Sequence, residues 1–446
     1  MKNYKQFFKG KKITIMGLGL LGRGLGYTKF LAECGADLIV TDLKTKEELS
    51  SSVSKLSKFK NIKFVLGEHR LEDFTNRDMI IKNAGVPFDS VYIAHARKNN
   101  IPIEMDASLF AKCIPEVTIV GITGTRGKTM TTMLIYEILK NNEKFLNKKV
   151  YLGGNVRGGS ILPLLKKVKA HDILVMELDS WQLQGFGESK ISPQISVFTT
   201  FMRDHMNYYK NDMAHYFNDK ANIFLHQKKG DTLVILPPIK KLLPKDIKSK
   251  ILVANQKEAS LFKTVIMGKH NEGNLACAIK VADVFNIPKS KIQNIVKNFK
   301  GVEGRLQYVK TFNGIKIYND NNATTVEATI AGLEALSSVK KNIILICGGK
   351  DKGTDTTILA RKINSYCKNL ILLNNENTTG THALLNQKIK IEITKVNNIK
   401  DAVSEALSKA KKGDIILFSP AFASFGMFIN EYDRNDQFMN IINKLK

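Results

Sequence analysis

The chain has 446 residues, 43% hydrophobic and 24% charged, with a formal net charge of +27. That length exceeds one ordinary core and implies two or three globular domains. No apolar run approaches the ~20 residues of a membrane span, the N-terminus lacks an uninterrupted signal-type apolar segment, and the lysines are scattered rather than blocked. The charge therefore reads as solvated surface and anionic small substrates. A basic nucleic-acid-binding protein remains the alternative from another class. Five cysteines without C-x-x-C spacing (Cys34, Cys113, Cys277, Cys347, Cys367) read as reduced core thiols of a cytoplasmic protein.

The first predicted elements are a strand, a glycine turn and a helix in "KITIMGLGLLGRGLGYTKFLAECG". Gly17, Gly19 and Gly22 form a G-x-G-x-x-G pattern around Leu18 and Leu20, and Asp42 ends the next strand, "ADLIVTD". Such glycines let backbone approach a diphosphate at a helix N-terminus; a tight turn without a ligand is the plainer reading. "MIIKNAGVP" gives a later strand, and the βαβ alternation implies a parallel sheet.

After the connector "CIPEV", the apolar run at Val117–Val120 leads into "GITGTRGKTMTTMLIYEIL". This is a second strand–turn–helix, but Ile122 stands where a G-x-x-x-x-G-K-[ST] loop has its first glycine. Gly124, Thr125, Arg126, Gly127, Lys128 and Thr129 still combine backbone amides, a cation and a metal-binding hydroxyl, which suits a nucleoside triphosphate. "DILVMELDS" and "ISVFTTFMRDH" are predicted strands that place Glu177, Asp204 and His205 at strand ends, where carboxylate and imidazole suit a divalent metal. Helices are expected around Tyr216–Phe224 and Asn271–Phe285. Asn271 and Asn274 lie on one face of the second and can read an adenine edge, or one of them can simply cap the helix.

The third unit opens with "LQYVKTFNGIKIYND", a hairpin around Asn313-Gly314. Asp320, Asn322 and Thr324 in "YNDNNATT", Lys352 in "GGKDKG" and Ser424 in "SPAFASFGMF" fall at strand ends or turns, where α/β proteins place ligands. The fold class is thus α/β, with three units in series over 1–113, 114–302 and 303–446.

In order, "GLGLLG", "GITGTRGKT", "GGNVRG", "MELDSWQL", "RDHMNYY", "YFNDKANIF", "GKHNEGN", "GRLQYV", "YNDNNATT", "GGKDKG" and "SPAFASFGMF" resemble the Mur ligases, ATP-dependent amide-bond ligases of peptidoglycan synthesis, nearly end to end. The G-T-x-G-K-[ST] loop is that family's form. The resemblance implies an N-terminal Rossmann-like domain for a UDP-linked substrate, a central P-loop-type domain for ATP and a C-terminal Rossmann-like domain for an amino acid. It is strongest to members that join D-glutamate to UDP-N-acetylmuramoyl-L-alanine; a related ligase with another acceptor is the alternative. Carried over by motif, Gly17, Gly19, Leu20, Gly22 and Asp42 serve the UDP, and Asn155 serves the muramoyl-alanine carboxylate. Gly124 to Thr129 serve the ATP phosphates, Asn271 and Asn274 adenine, Arg305 and Asp320 the phosphates and ribose. Thr324, Lys352 and Ser424 serve the glutamate carboxylates. Thr129, Glu177, His205 and a carbamylated Lys220, fifteen residues beyond His205, hold two Mg²⁺ ions, and Lys128, Glu177, His205 and Lys220 form the catalytic set. A cytoplasmic monomer without nucleic acid or membrane span is implied. Four positions depart from the pattern: Arg126 replaces an Asn, Asn322 replaces a Lys, Arg203 replaces an acidic residue, and "DSW" replaces "SSF".

Overall fold

The computed structural model describes residues 3–445 apart from 21, 157–159, 265, 267, 269, 338–340, 351–354, 375–378, 425 and 426, with 270, 379 and 380 described for backbone only. It divides into two compact units, Met1–Phe262 with Gly273–Val296, and Lys263–Glu272 with Lys297–Lys446.

The first unit holds two parallel sheets. The five-stranded one runs, in spatial order, Ile62–Leu66, Asp37–Asp42, Lys12–Met16, Met79–Lys82, Ile103–Glu104. Its central strands are near-continuous apolar runs because helices cover both faces; Ile13, Ile15, Leu38, Val40 and Ile81 are fully buried. The six-stranded sheet runs Lys250–Val253, Thr232–Ile235, Ile195–Phe198, Thr118–Thr123, Ile173–Glu177, Val150–Gly154. Thr118–Thr123 comes first in the chain yet lies centrally: the crossover leaving it runs toward Val150–Gly154, whereas those leaving its two neighbours, Ile173–Glu177 and Ile195–Phe198, run the other way. The carboxyl ends beside such a reversal are where open α/β sheets bind ligands.

One predicted strand is shorter than its sequence pattern. The strand begun by Ile195 ends at Phe198, not at His205. The next residues keep the apolar spacing of a strand, but Phe201 packs its ring against Phe198, Phe217 and Tyr216 from a loop. His205, Lys210 and Asn211 then adopt positive φ values of 55°, 49° and 61°, which no strand permits.

The second unit carries a six-stranded sheet in the order Gln307–Phe312, Ile315–Asn319, Ile415–Phe418, Ile343–Cys347, Cys367–Leu373, Glu392–Val396. Only the first pair is antiparallel: it is the hairpin, turning through Asn313 and Gly314 at φ 48° and 77°, the left-handed values a two-residue hairpin turn requires. Fully buried Ile344, Ile346, Ile371 and Phe418 pack against Ala402, Phe438 and Ile442 on one face of this sheet.

Candidate active site

The site in the first unit is built around Thr118–Thr123. Directly after it, Gly124 to Gly127 form a loop, and Gly127 takes φ 88° to cap helix Lys128–Lys140. A side chain here would be strained by that φ and would also meet the Asn274 Oδ1 at 2.4 Å. The helix therefore presents its first amides to the loop mouth with no side-chain cap, the arrangement that favours an anion.

Neighbouring strand ends complete the mouth. Glu177, 2% exposed, ends the strand paired beside Ile122, and Leu178 N donates to Ile122 O at 2.8 Å. On the other side, Thr199 N donates to Thr123 O at 3.0 Å. The Thr199 and Thr200 hydroxyls donate to Arg126 O at 2.6 and 3.0 Å, while Arg126 N donates to Thr200 Oγ1 at 2.9 Å. These threonines carry no motif of their own, yet they fix the loop.

Two lysines meet on one carbonyl. Lys128 Nζ donates to Gly124 O at 2.9 Å and Thr125 O at 3.2 Å. Lys220 Nζ, from helix Met213–Ala221, donates to the same Gly124 O at 3.1 Å. Lys220 is 1% exposed and lies 4.9 Å from the Tyr216 ring centroid. Burial first, and then the Lys128 charge, push its ammonium down to about 7. A neutral amine is thus populated near neutrality.

His205 packs its ring 4.9 Å from Trp181 and 6.3 Å from Tyr216. Its Nε2 is 3.8 Å from Asp204 Oδ2. Burial holds its pKa below the usual imidazole value despite Asp204, and Lys128 and Lys220 act in the same direction. Asp204 also faces Arg126, with Nη1 to Oδ2 at 3.9 Å. The Arg126 side chain, 50% exposed, thus answers a carboxylate of the His205 segment.

A second strand-to-helix glycine turn lies in the five-stranded sheet. Gly22 caps helix Arg23–Glu33 at φ 83°. Asp42 clamps the turn: Oδ2 accepts from Gly19 N at 2.9 Å and Oδ1 from Lys44 N at 2.9 Å. Leu20 is exposed at the loop's tip. Asn155 follows the strand that pairs with Glu177; its N donates to Glu177 O at 2.7 Å, and its Oδ1 accepts from Arg23 Nη2.

Other predicted residues lie apart or are committed elsewhere. Asn274 Oδ1 accepts from Thr131 Oγ1 at 3.3 Å and so supports the phosphate-loop helix, whereas Asn271 sits one turn earlier, its N donating to Gly268 O. In the second unit, Asp320 is turned inward: Oδ1 accepts from Leu306 N at 2.9 Å and Oδ2 from Ser419 Oγ at 2.8 Å. Burial raises it to about 7. It orders the turn that carries Arg305. Thr324 is half-buried after the hairpin strand, and Ser424 is buried. Asn322 turns its side chain to the segment before the hairpin, Nδ2 donating to Glu303 O at 3.4 Å. A network missed by sequence reasoning backs these loops: fully buried Arg434 donates to Asn321 Oδ1 (2.8 Å), Asn321 O (2.8 Å) and Phe422 O (3.2 Å). Lys352 lies outside the described residues.

Parallel sheets with a Gly-Lys-Thr loop at a crossover reversal, a second glycine loop and a buried, low-pKa lysine define a nucleotide-dependent enzyme. Residues 11–104 match the "Mur ligase MurD-like, N-terminal domain", 122–241 the "Mur ligase middle domain" and 304–422 the "Mur ligase, glutamate ligase domain". The UDP-N-acetylmuramoylalanine--D-glutamate ligase of Borreliella burgdorferi is 35% identical, covering 98% of this chain and 98% of that protein. The protein of the same name from Clostridium acetobutylicum is 32% identical, covering 99% and 98%. Two Thermotoga maritima structures share the fold. UDP-N-acetylmuramate-alanine ligase MurC has a TM-score of 0.60 at 19% identity, covering 98% of this chain and 100% of that one. MurF ligase in complex with ADP has a TM-score of 0.59 at 16% identity, covering 99% and 96%. The chain belongs to the Mur ligase family, whose members are ATP-dependent ligases.

Among the described residues no three His, Cys, Asp or Glu side chains cluster as a ready-made metal cage. Mg²⁺ is ordinarily held by one or two protein carboxylates plus substrate phosphates and water. Side chains of this site with oxygens that could serve it are Thr129 and the buried Glu177, with the His205 imidazole as a nitrogen donor.

Proposed function

We propose that this chain joins D-glutamate to UDP-N-acetylmuramoyl-L-alanine, converting ATP to ADP and phosphate, with residues 1–113 for the UDP, 114–302 for ATP and 303–446 for the amino acid. The supporting observation is Lys128 Nζ on the loop carbonyls at an uncapped helix start, with the buried Lys220 amine on the same Gly124 O, in a chain alike over 98% of its length to a D-glutamate ligase. One ammonium and the first amides of a helix together favour a polyanion.

The alanyl carboxylate, placed by Asn155, attacks the γ-phosphorus; the bond to ADP breaks and an acyl phosphate forms. A bare carboxylate is a poor acylating agent, and the phosphoryl group makes it a good one. Lys128 and the loop amides balance charge on the transferred group. The neutral amine of D-glutamate attacks the carbonyl, the tetrahedral intermediate expels phosphate, and the amide remains. Thr324, Lys352 and Ser424 hold the glutamate carboxylates. Asn271 meets adenine, Asn274 does so while supporting the loop, and Arg305, set by Asp320, meets the phosphates.

Thr129, Glu177, His205 and Lys220 would hold Mg²⁺, which would supply charge neutralisation at the phosphates. For that, Lys220 must become an anion. Its neutral amine adds to CO₂ and loses a proton, giving a carbamate, and a pKa of about 7 makes this addition feasible near neutrality. Omitting ATP, the UDP substrate or D-glutamate in turn should each abolish phosphate release and product mass; release without D-glutamate incorporation would contradict the reading. Asn322 favours a second reading, another amino-acid acceptor, because it removes a cation from the expected acceptor loop.

A further inference from the structure

We propose that Arg23 is a positioning residue that grips the diphosphate of the UDP-linked substrate and couples it to Asn155. This rests on the reading of Gly17–Gly22 as the diphosphate loop and adds a residue that reading does not contain.

Arg23 is the first residue of the helix that the glycine loop caps, and the first turn has no acidic residue. A cation at that positive end is electrostatically misplaced unless an anion comes to it. Its guanidinium is half-buried rather than free in solvent, and it crosses from the five-stranded sheet to the six-stranded one, where Nη2 donates to Asn155 Oδ1. Among the described residues no carboxylate lies within ion-pair distance of Arg23. A guanidinium has five N–H donors in a planar fork suited to phosphate oxygens, so a single amide oxygen leaves most of that capacity for a ligand.

Asn155 is itself fixed. Its N donates to Glu177 O at 2.7 Å, and the preceding Gly154 turns at φ 89° so close to that carbonyl that a Cβ would stand 2.0 Å from it. The contacts thus run from the first glycine loop through Arg23 and Asn155 to the strand end carrying Glu177. They join the residues assigned to the two ends of one substrate, its diphosphate and its alanyl carboxylate. A diphosphate drawn to Arg23 would hold the Asn155 carboxamide in one orientation. The competing role is structural: Arg23 also lies close enough to stabilise the charge of buried Asp106.

The test measures binding of UDP and UMP to wild type, Arg23→Leu and Arg23→Lys by calorimetry, with melting temperatures alongside. Arg23→Leu should weaken UDP about tenfold or more, the scale of a charge-assisted phosphate contact, and UMP less than about threefold. Arg23→Lys should recover part of the UDP affinity. KM for the UDP-linked substrate should rise with unchanged KM for ATP. Equal UDP affinity in wild type and Arg23→Leu overturns the proposal, as does equal weakening of UDP and UMP with a lowered melting temperature, the structural outcome. If Arg23→Leu does not fold, Arg23→Lys and Arg23→Gln decide by the same UDP-to-UMP ratio. Wild type that binds no UDP overturns the loop reading itself, and this inference with it.

Discussion

The two glycine loops of the first unit end on the same helix-capping geometry and carry opposite side-chain chemistry. Gly22 and Gly127 cap their helices at φ 83°, ψ −11° and φ 88°, ψ −13°. In the first loop a carboxylate, Asp42, occupies the Gly19 amide. In the second, two lysines crowd the Gly124 carbonyl. A glycine-capped helix start suits phosphate in general. On the function proposed above, the side chains would separate a loop for an unreacting diphosphate from one for a phosphoryl group in transfer.

The largest expected effect is at the charged loop. Lys128→Ala should lower kcat on the order of 10²–10³-fold, the usual cost of losing a transition-state charge contact, as read by phosphate release at saturating substrates. Lys220→Ala should nearly abolish turnover, with partial return on adding short carboxylic acids; full activity without them would remove the carbamate from the account. The pH dependence has a definite sign. Lys220 titrates at about 7 in the fold, below its ordinary 10.5. Lowering pH through 7 protonates the amine, so bicarbonate-dependent activity should fall there. In CO₂-free buffer the unfolded chain binds this proton up to about pH 10 and the native chain does not. The lysine's contribution to stability is therefore present above that pH and lost as pH falls toward 7. Urea titrations of Lys220→Met should lack that slope.

The clamp of the first loop should matter less and differently. Asp42→Ala frees two backbone amides, and KM for the UDP-linked substrate should rise about tenfold, in line with ~1–3 kcal/mol for groups left unsatisfied, with kcat for bound substrate little changed. If kcat instead falls as far as for Lys128→Ala, the distinction between a holding and a reacting loop fails. Arg126→Asn should have the smallest effect, a rise in KM for ATP of about two- to fivefold, because an exposed pair such as Arg126–Asp204 contributes ~1 kcal/mol or less; initial rates against ATP concentration would measure it.

Much of this architecture is legible in the sequence, because glycine spacing, apolar runs and turn residues are local signals. The hairpin at Asn313-Gly314, both strand–turn–helix units and Glu177 at its strand end follow from them. The segment after Phe198 misleads because Phe201 and Met202 continue a strand-like pattern while serving a loop. Asp42 reads as a ligand acid from its position, although the structure commits its oxygens to backbone amides. The low pKa of Lys220 is invisible locally, since it comes from tertiary burial and from Lys128, 92 positions away. The Arg23–Asn155 contact spans 132 positions, and no periodicity predicts such a pair.

The most direct test of the central claim is an acceptor panel. Purified protein receives ATP, Mg²⁺ and UDP-N-acetylmuramoyl-L-alanine with D-glutamate, L-glutamate and other amino acids in separate reactions, and phosphate and product mass are followed. One phosphate should be released per D-glutamate joined, with little turnover of the L-isomer. Turnover with a different amino acid and none with D-glutamate would contradict it, and would point to Asn322 as the place where acceptor choice diverged.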